Sequence, residues 1–273
     1  MNLITSRSNP KVKQVRALRQ RKTRQALALF LVEGIRHVGE AVEAGAEIEY
    51  ICYAPDLLSS EFAQGLIAEQ SQRGVPCYAL AANVFDSLAQ KENPQGILAV
   101  IRQRETKLSD LNPESFPWGV ALVEPQDPGN LGTILRTIDA VAASGLILLD
   151  SSVDPYHPNA VRASMGTLFW HPIASASFEE FASWAAQYGY HVYGTSVHGS
   201  QDYRAIKAYQ YPCILLMGSE REGLTPKQSA ICEQLIRLPM LGKATSLNLG
   251  VATGVFLYAM LAQDQPSHKL SSE

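Results

Sequence analysis

Short apolar runs, each too brief for a helix and separated by helical patterns, recur along this chain and restrict its fold more than any other feature. Ala28–Val32, Ile48–Tyr53, Val75–Leu80 and Ile97–Ile101 read as strands in the first part of the chain. Helices are expected between them at Ile35–Ala44, Glu61–Gln72 and Asn83–Ala89. Beyond residue 118 the pattern resumes, with strands expected at Val120–Val123, Leu146–Leu149, Tyr190–Tyr193, Ile214–Met217 and Leu235–Leu238. Leu131–Ala143, Phe178–Gln187 and Ser246–Ala262 have helical character. Strands that are apolar throughout, rather than alternating, are buried on both faces, which marks a parallel sheet covered by helices. The expected fold class is α/β. Between the two blocks, residues 102–117 (RQRETKLSDLNPESFP) are charged and proline-bearing without an apolar period, a linker composition. The expected organisation is an N-terminal α/β domain over 1–103, a linker over 104–117 and a second α/β domain over 118–273.

Hydrophobic content of 46% with 18% charged residues excludes a disordered or fibrous chain. No apolar run approaches the roughly 18–20 residues needed to cross a bilayer. The polar, basic start MNLITSRSNPKVKQ lacks the apolar core of a secretory signal, so cytoplasmic residence is the default expectation. Cys52, Cys77, Cys213 and Cys232 form no CxxC pair and the histidines no HxxxH pair, so no metal is expected. Net charge is only −3, yet residues 1–32 hold eight Lys or Arg and no acid, leaving −11 (−3 minus 8) on the rest. Asn9-Pro10 reads as a helix cap followed by proline at the first helical position. Arg7, Lys11, Lys13, Arg16, Arg21, Lys22 and Arg24 around that helix are candidate phosphate contacts. A solvated basic helix would produce the same asymmetry.

Three loops after strands carry polar side chains beside glycine. In Glu124–Arg136, Asn130 is expected to begin a helix and Arg136 follows six residues on. Met217–Leu224 (MGSEREGL) offers Gly218, where backbone could approach a ligand, and Glu220. Leu238–Asn248 contains Met240, Leu247, Ser246 and Asn248 where the last helix is expected to start. Taken singly, each admits a plain account: an asparagine cap with a surface arginine, a surface turn, a serine cap. No GxGxxG or GxxxxGK[ST] pattern occurs.

Together, in this order and spacing, the loops resemble the three motifs of the SpoU (TrmH-type) family of SPOUT RNA methyltransferases: PQDPGNLGTILRT, GSEREGL and LPMLGKATSLNLGVA. Val161–Gly166 (VRASMG) fits the same pattern, and SNPKVKQVRAL, LFLVEG and ENPQGILAV resemble that family's N-terminal RNA-binding domain. The resemblance spans most of the chain. It implies a catalytic domain whose C-terminal segment forms a deep trefoil knot, S-adenosyl-L-methionine as cofactor, a homodimer, and a structured RNA, foremost ribosomal RNA, as substrate. It assigns cofactor contacts to Gly218, Leu238, Leu247 and Met240, and the polar catalytic set to Asn130, Arg136, Glu220, Ser246 and Asn248. One departure stands out: Gly250 occupies a position where a serine is usual.

Methyl transfer from a sulfonium is an in-line displacement in which positioning supplies most of the acceleration. A guanidinium is a poor general base at neutral pH. Arg136 is therefore expected to stabilise a developing alkoxide or the adjacent phosphate. Asn130, Ser246 and Asn248 are expected to orient it, and Glu220 to fix it. The alternatives are a tRNA 2′-O-methyltransferase, or an RNA-binding or assembly factor that keeps the fold without catalysis. A dinucleotide-dependent oxidoreductase is more distant still.

Overall fold

The computed structural model describes residues 3–89, 93–198 and 201–263. Glu92, in the ENPQG turn, lies outside them. In chain order the elements are α1 (Pro10–Ala17), α2 (Arg21–Leu27), β1 (Leu29–Glu33), α3 (Ile35–Glu43), β2 (Ile48–Tyr53), α4 (Glu61–Gln72), β3 (Cys77–Ala79), α5 (Ala82–Asp86) and β4 (Ile97–Arg102). They continue as β5 (Trp118–Val123), α6 (Pro128–Ala140), β6 (Leu146–Leu149), α7 (Pro158–Ser164), β7 (Ile173–Ala176), α8 (Phe178–Gln187) and β8 (His191–Thr195). The chain closes with β9 (Gln201–Asp202), β10 (Cys213–Met217), α9 (Pro226–Ser229), β11 (Gln234–Arg237) and α10 (Leu249–Gln263).

Two compact units result. The first comprises residues 1–104 and 156–170, the second 105–155 and 171–273. Both depart from the expected boundaries. The charged stretch read as a linker is packed into the second unit: Leu111 and Phe116 belong to its apolar core, and the Trp184 indole donates to the Leu111 carbonyl. Two buried apolar residues outweigh the charged composition around them. Residues 156–170, which include the VRASMG motif, pack in the first unit. Phe30 of β1 meets the rings of Tyr156 and Phe169 at 4.6 and 6.2 Å between centroids. Gly166 has φ +99°, and a Cβ there would come within 2.8 Å of Glu40 on α3.

The first unit is a four-stranded sheet in the order β1-β4-β2-β3, antiparallel except between β2 and β3. Asn9 caps α1 as the Asn-Pro pair implies, its side chain accepting from the Lys11 N–H. Val12, Val15 and Leu18 on one face of α1 are fully buried with Leu29, Tyr50, Leu80, Phe85 and Val100. The basic N-terminal segment is thus not a detachable arm. Its helix is part of the core.

The second unit carries seven strands in the order β7-β6-β5-β10-β8-β11-β9, parallel at every pairing. Apolar runs without alternation led to this expectation, and β5, β6 and β10 are buried at every residue. Strand order reverses beside β5: the chain passes to β6 on one side and later returns to β10 on the other. In such sheets ligands bind beyond the carboxyl ends of the strands at the reversal. Cys52 and Cys213 are buried free thiols, and burial pushes the Cys52 and Cys232 thiols up to about 12. Among the described residues no helix is long and apolar enough to cross a membrane, and no three His, Cys, Asp or Glu side chains could share a metal ion.

Candidate active site

The loops that leave the carboxyl ends of β8, β10 and β11 line one cleft of about 770 Å³, inside the range of roughly 300–1,000 Å³ usual for small-molecule sites. Gly218, Glu220, Leu238, Met240, Ser246, Leu247 and Asn248 all contribute to its wall. Residues from the second and third sequence motifs, about twenty positions apart in the chain, therefore share one cleft. Thr195 and Ser196 line it too, at the end of β8; only the polar run after a buried strand could have pointed to them.

Local geometry explains the glycine in the second loop. Ser219 and Gly223 exchange two backbone hydrogen bonds, 3.1 and 2.9 Å, closing a tight turn with residues 220–222 at its tip. A Cβ on Gly218 would lie 2.3 Å from the carbonyl carbon of Gly223 and 2.5 Å from the Leu224 nitrogen. The expected close approach at Gly218 is thus made first by the loop's own backbone. Any side chain there forces the turn open.

Three polar residues from three separate segments form one chain of hydrogen bonds. The Asn248 side-chain amide donates to the Asn130 carbonyl oxygen at 2.8 Å, and the Asn130 amide donates to the Glu220 carboxylate. The Asn248 carbonyl oxygen in turn accepts from the Val251 N–H at 3.2 Å. Because each amide has its donor and acceptor ends fixed by a neighbour, both orientations are determined and the carboxylate is held in place. Asn130 is 9% exposed. A polar group so buried is costly unless paired, and the chain satisfies it.

Several expected roles change. Asn130 does not begin its helix: Asp127 caps α6, accepting from the Gly129 N–H at 2.6 Å, with Pro128 first and Asn130 third. The Asp-Pro pair was the readable signal. Ser246 does not cap α10 either. Asn248 does, since its backbone carbonyl accepts from Ala252 and its side chain from Val251. Ser246 remains an exposed wall residue of the cleft. Arg136 is not brought to the others. It lies on the exposed surface of α6, outside the cleft, and Glu220 is tied to Asn130 instead of to it.

Gly250 sits where α10 crosses α6. A Cβ at that position would meet the Asn248 Oδ1 at 3.3 Å and Thr133 Cγ2 at 3.4 Å. Glycine gives these two helices and the Asn248 amide their present spacing, and a serine would need both neighbours to yield slightly.

The basic residues of the first unit also divide. Arg7, Lys13, Arg16, Arg21 and Lys22 are exposed. Lys11 is half-buried, its ammonium 4.3 Å from the Tyr50 ring centroid. Arg24 is a correction: it is 1% exposed, and its guanidinium donates to the carbonyls of Leu18 and Arg19 at 3.0 and 2.7 Å. It ties the turn between α1 and α2 and is closed to phosphate. Helical spacing alone does not reveal this, because the break after Leu18 rotates α2 relative to α1.

Comparison with known proteins gives a consistent picture. The model of the SpoU rRNA Methylase family matches residues 117–258, more than half of the chain, and that of the MRM3-like substrate binding domain matches residues 9–99. The chain is 32% identical over 268 residues to the 23S rRNA (uridine(2479)-2′-O)-methyltransferase of Streptomyces viridochromogenes, spanning 95% of this chain and 92% of that one. It is 29% identical over 259 residues to the 23S rRNA (guanosine(2553)-2′-O)-methyltransferase RlmP of Bacillus subtilis, spanning 94% and 98%. Among solved structures, the AdoMet-bound rRNA methyltransferase from Sinorhizobium meliloti superposes with a TM-score of 0.88 at 37% identity, over 97% of this chain and 99% of that one.

Proposed function

The chain belongs to the SpoU rRNA Methylase family, and on that premise we propose that it methylates a ribose 2′-hydroxyl of large-subunit ribosomal RNA, with S-adenosyl-L-methionine as donor. The observation that carries the reading is the bonded chain Asn248–Asn130–Glu220 at the wall of a cleft built from the family's motifs. A protein that only bound RNA would have no use for a buried amide spanning two helix starts to hold a carboxylate beside a small-molecule cleft. Ribosomal RNA is favoured over tRNA because the full-length relatives named above act on 23S rRNA.

The residues present fit the donor. The cleft has the volume for it, and apolar residues (Leu238, Met240, Leu247) and polar ones (Glu220, Ser246, Asn248) share its wall. When bound, the donor supplies a methyl group on a sulfonium, activated toward an oxygen nucleophile. Gly218, Leu238, Met240 and Leu247 would hold it, and Glu220, fixed by Asn130, would orient polar groups at the reacting end. Ser246, exposed on the same wall, would meet the ribose. Arg136 would stabilise the oxygen as it loses its proton, or the phosphate next to it.

Arg136 is exposed on α6, so this reading includes a homodimer in which the guanidinium serves the partner's cleft. Support comes from the outer face of α10, where Val251, Val255 and Tyr258 recur at helical spacing and are 53, 36 and 54% exposed. The family's trefoil knot, threaded by the C-terminal segment, is part of the same reading. The basic face of α1 and α2 would meet the RNA. In the decisive experiment Arg136→Ala abolishes methyl transfer to transcribed ribosomal RNA, while calorimetry returns a nearly unchanged donor Kd. Equal loss of both refutes the role given to Arg136, and a monomeric mass by sedimentation withdraws the shared site.

A further inference from the structure

Arg221 takes no part in the chain of hydrogen bonds Asn248–Asn130–Glu220. It lies between Glu220 and Glu222 at the tip of the turn closed by Ser219 and Gly223, and it lines the cleft. An arginine flanked by two carboxylates ordinarily pairs with one of them. Here Glu220 is engaged by Asn130, and among the described residues Arg221 makes no hydrogen bond or ion pair with either neighbour or with any other side chain. Its side chain is exposed at the rim.

Two helix ends beside this rim favour an anion. α6 and α10, of 13 and 15 residues, bring their N-terminal ends together where Asn130 and Asn248 are bonded at 2.8 Å. Helix N-termini carry partial positive charge that stabilises anions nearby. The same rim holds Glu220 and Glu222, which repel an approaching polyanion, and Arg221 offsets one of these two charges. A guanidinium is always charged at neutral pH and matches a phosphate with two parallel donors.

We propose that Arg221 binds a backbone phosphate of the RNA beside the ribose that is methylated, anchoring the acceptor strand across the mouth of the cleft. This rests on the methyltransferase reading above and adds to it a phosphate contact in the second unit, apart from the basic face of the first. The competing anion is the carboxylate of the methionine moiety of the donor. Exposure at the tip of the turn favours the RNA.

The test compares wild type, Arg221→Gln and Arg221→Lys with transcribed ribosomal RNA fragments, measuring RNA Kd at several salt concentrations and donor Kd by calorimetry. Arg221→Gln should weaken RNA binding about tenfold, as for loss of one charge-assisted contact. It should also lower the slope of log Kd against log salt by about 0.7–0.9, one released counterion. Arg221→Lys should restore the slope and only part of the affinity, because it keeps the charge without the fork. Donor Kd should stay within twofold for both. An unchanged slope in Arg221→Gln, with a native melting curve, overturns the inference. A weakened donor Kd with an unchanged slope overturns it in favour of the methionine carboxylate. Wild type assayed alongside separates the two levels: transfer by wild type with no slope change in the variant sinks only Arg221, whereas absence of transfer by wild type removes the enzyme reading beneath it.

Discussion

Replacing Asn130 by aspartate changes one atom of the polar chain and inverts one of its two links. The Asn248 amide still finds an oxygen to donate to, because the introduced carboxylate presents one where the Asn130 carbonyl stood. The other link fails: the group that donated to Glu220 becomes a carboxylate facing a carboxylate. Two unit charges about 4 Å apart repel by about 1 kcal/mol in water and about 4 kcal/mol at the effective dielectric of a protein surface. Glu220 is exposed and Asn130 is not, so a repulsion between these limits is expected, together with a lost charge-assisted hydrogen bond of about 1.5 kcal/mol. Asn130→Asp should therefore destabilise the protein by about 2.5–5.5 kcal/mol at pH 8. The pair would relieve the repulsion by holding one proton, which raises its folded-state pKa above the unfolded carboxylate values near 4. In that window the folded state binds more protons than the unfolded one, so the deficit grows with rising pH and fades as pH falls through the raised value toward 4. Adding Glu220→Gln should rescue the variant at every pH, because a glutamine amide can donate to the introduced carboxylate and restore the chain with its second link reversed. Urea denaturation of wild type, single and double variants between pH 5 and 8 reads all of this. A single variant as stable as wild type at pH 8, or a double variant no better than the single, would refute this arrangement.

Gly218→Ala should cut donor affinity by at least tenfold while changing the melting temperature little, since the Cβ collides with backbone of an exposed turn and not with the core. Calorimetry with S-adenosyl-L-methionine checks this, and an unchanged Kd would mean the turn does not contact the donor. In the first unit, Arg24→Met should destabilise by about 2–3 kcal/mol, because carbonyls bonded by a buried guanidinium lose their partners. Lys22→Ala, at an exposed position, should leave stability within about 0.5 kcal/mol and lower the salt slope of RNA binding. If Lys22→Ala leaves the slope untouched, the basic face is not the RNA contact.

Much of the scaffold was legible because burial leaves a plain mark on short segments. Ile48–Tyr53, Glu61–Gln72, Leu146–Leu149 and Phe178–Gln187 occur with the bounds their patterns implied. The elements that escaped are those with little apolar surface to display. β7 reads Ile-Ala-Ser-Ala, α9 is four residues, and α7 is seven residues closed by Met165 in the left-handed region. α2 was hidden in the charge run, where Arg24 looked like its neighbours and is in fact the buried one. At the site, three of the five polar residues named from the sequence, Asn130, Glu220 and Asn248, are hydrogen-bonded to one another, in an order the sequence does not give. That order depends on two amide orientations, which spacing along a chain does not carry. Arg136 was legible as a residue and not as a neighbour of the rest.

The excursion of residues 156–170 makes the first unit discontinuous in the chain, so the polypeptide crosses between the two units three times rather than once. A fragment ending near residue 103 would lack the rings of Tyr156 and Phe169 that cover Phe30, and a fragment beginning near 118 would carry that excursion with nothing to cover. Neither half can be excised with one cut. Exchange of the RNA-reading part between relatives would have to transplant two pieces of sequence together, which ties any change of target to the body that performs the chemistry.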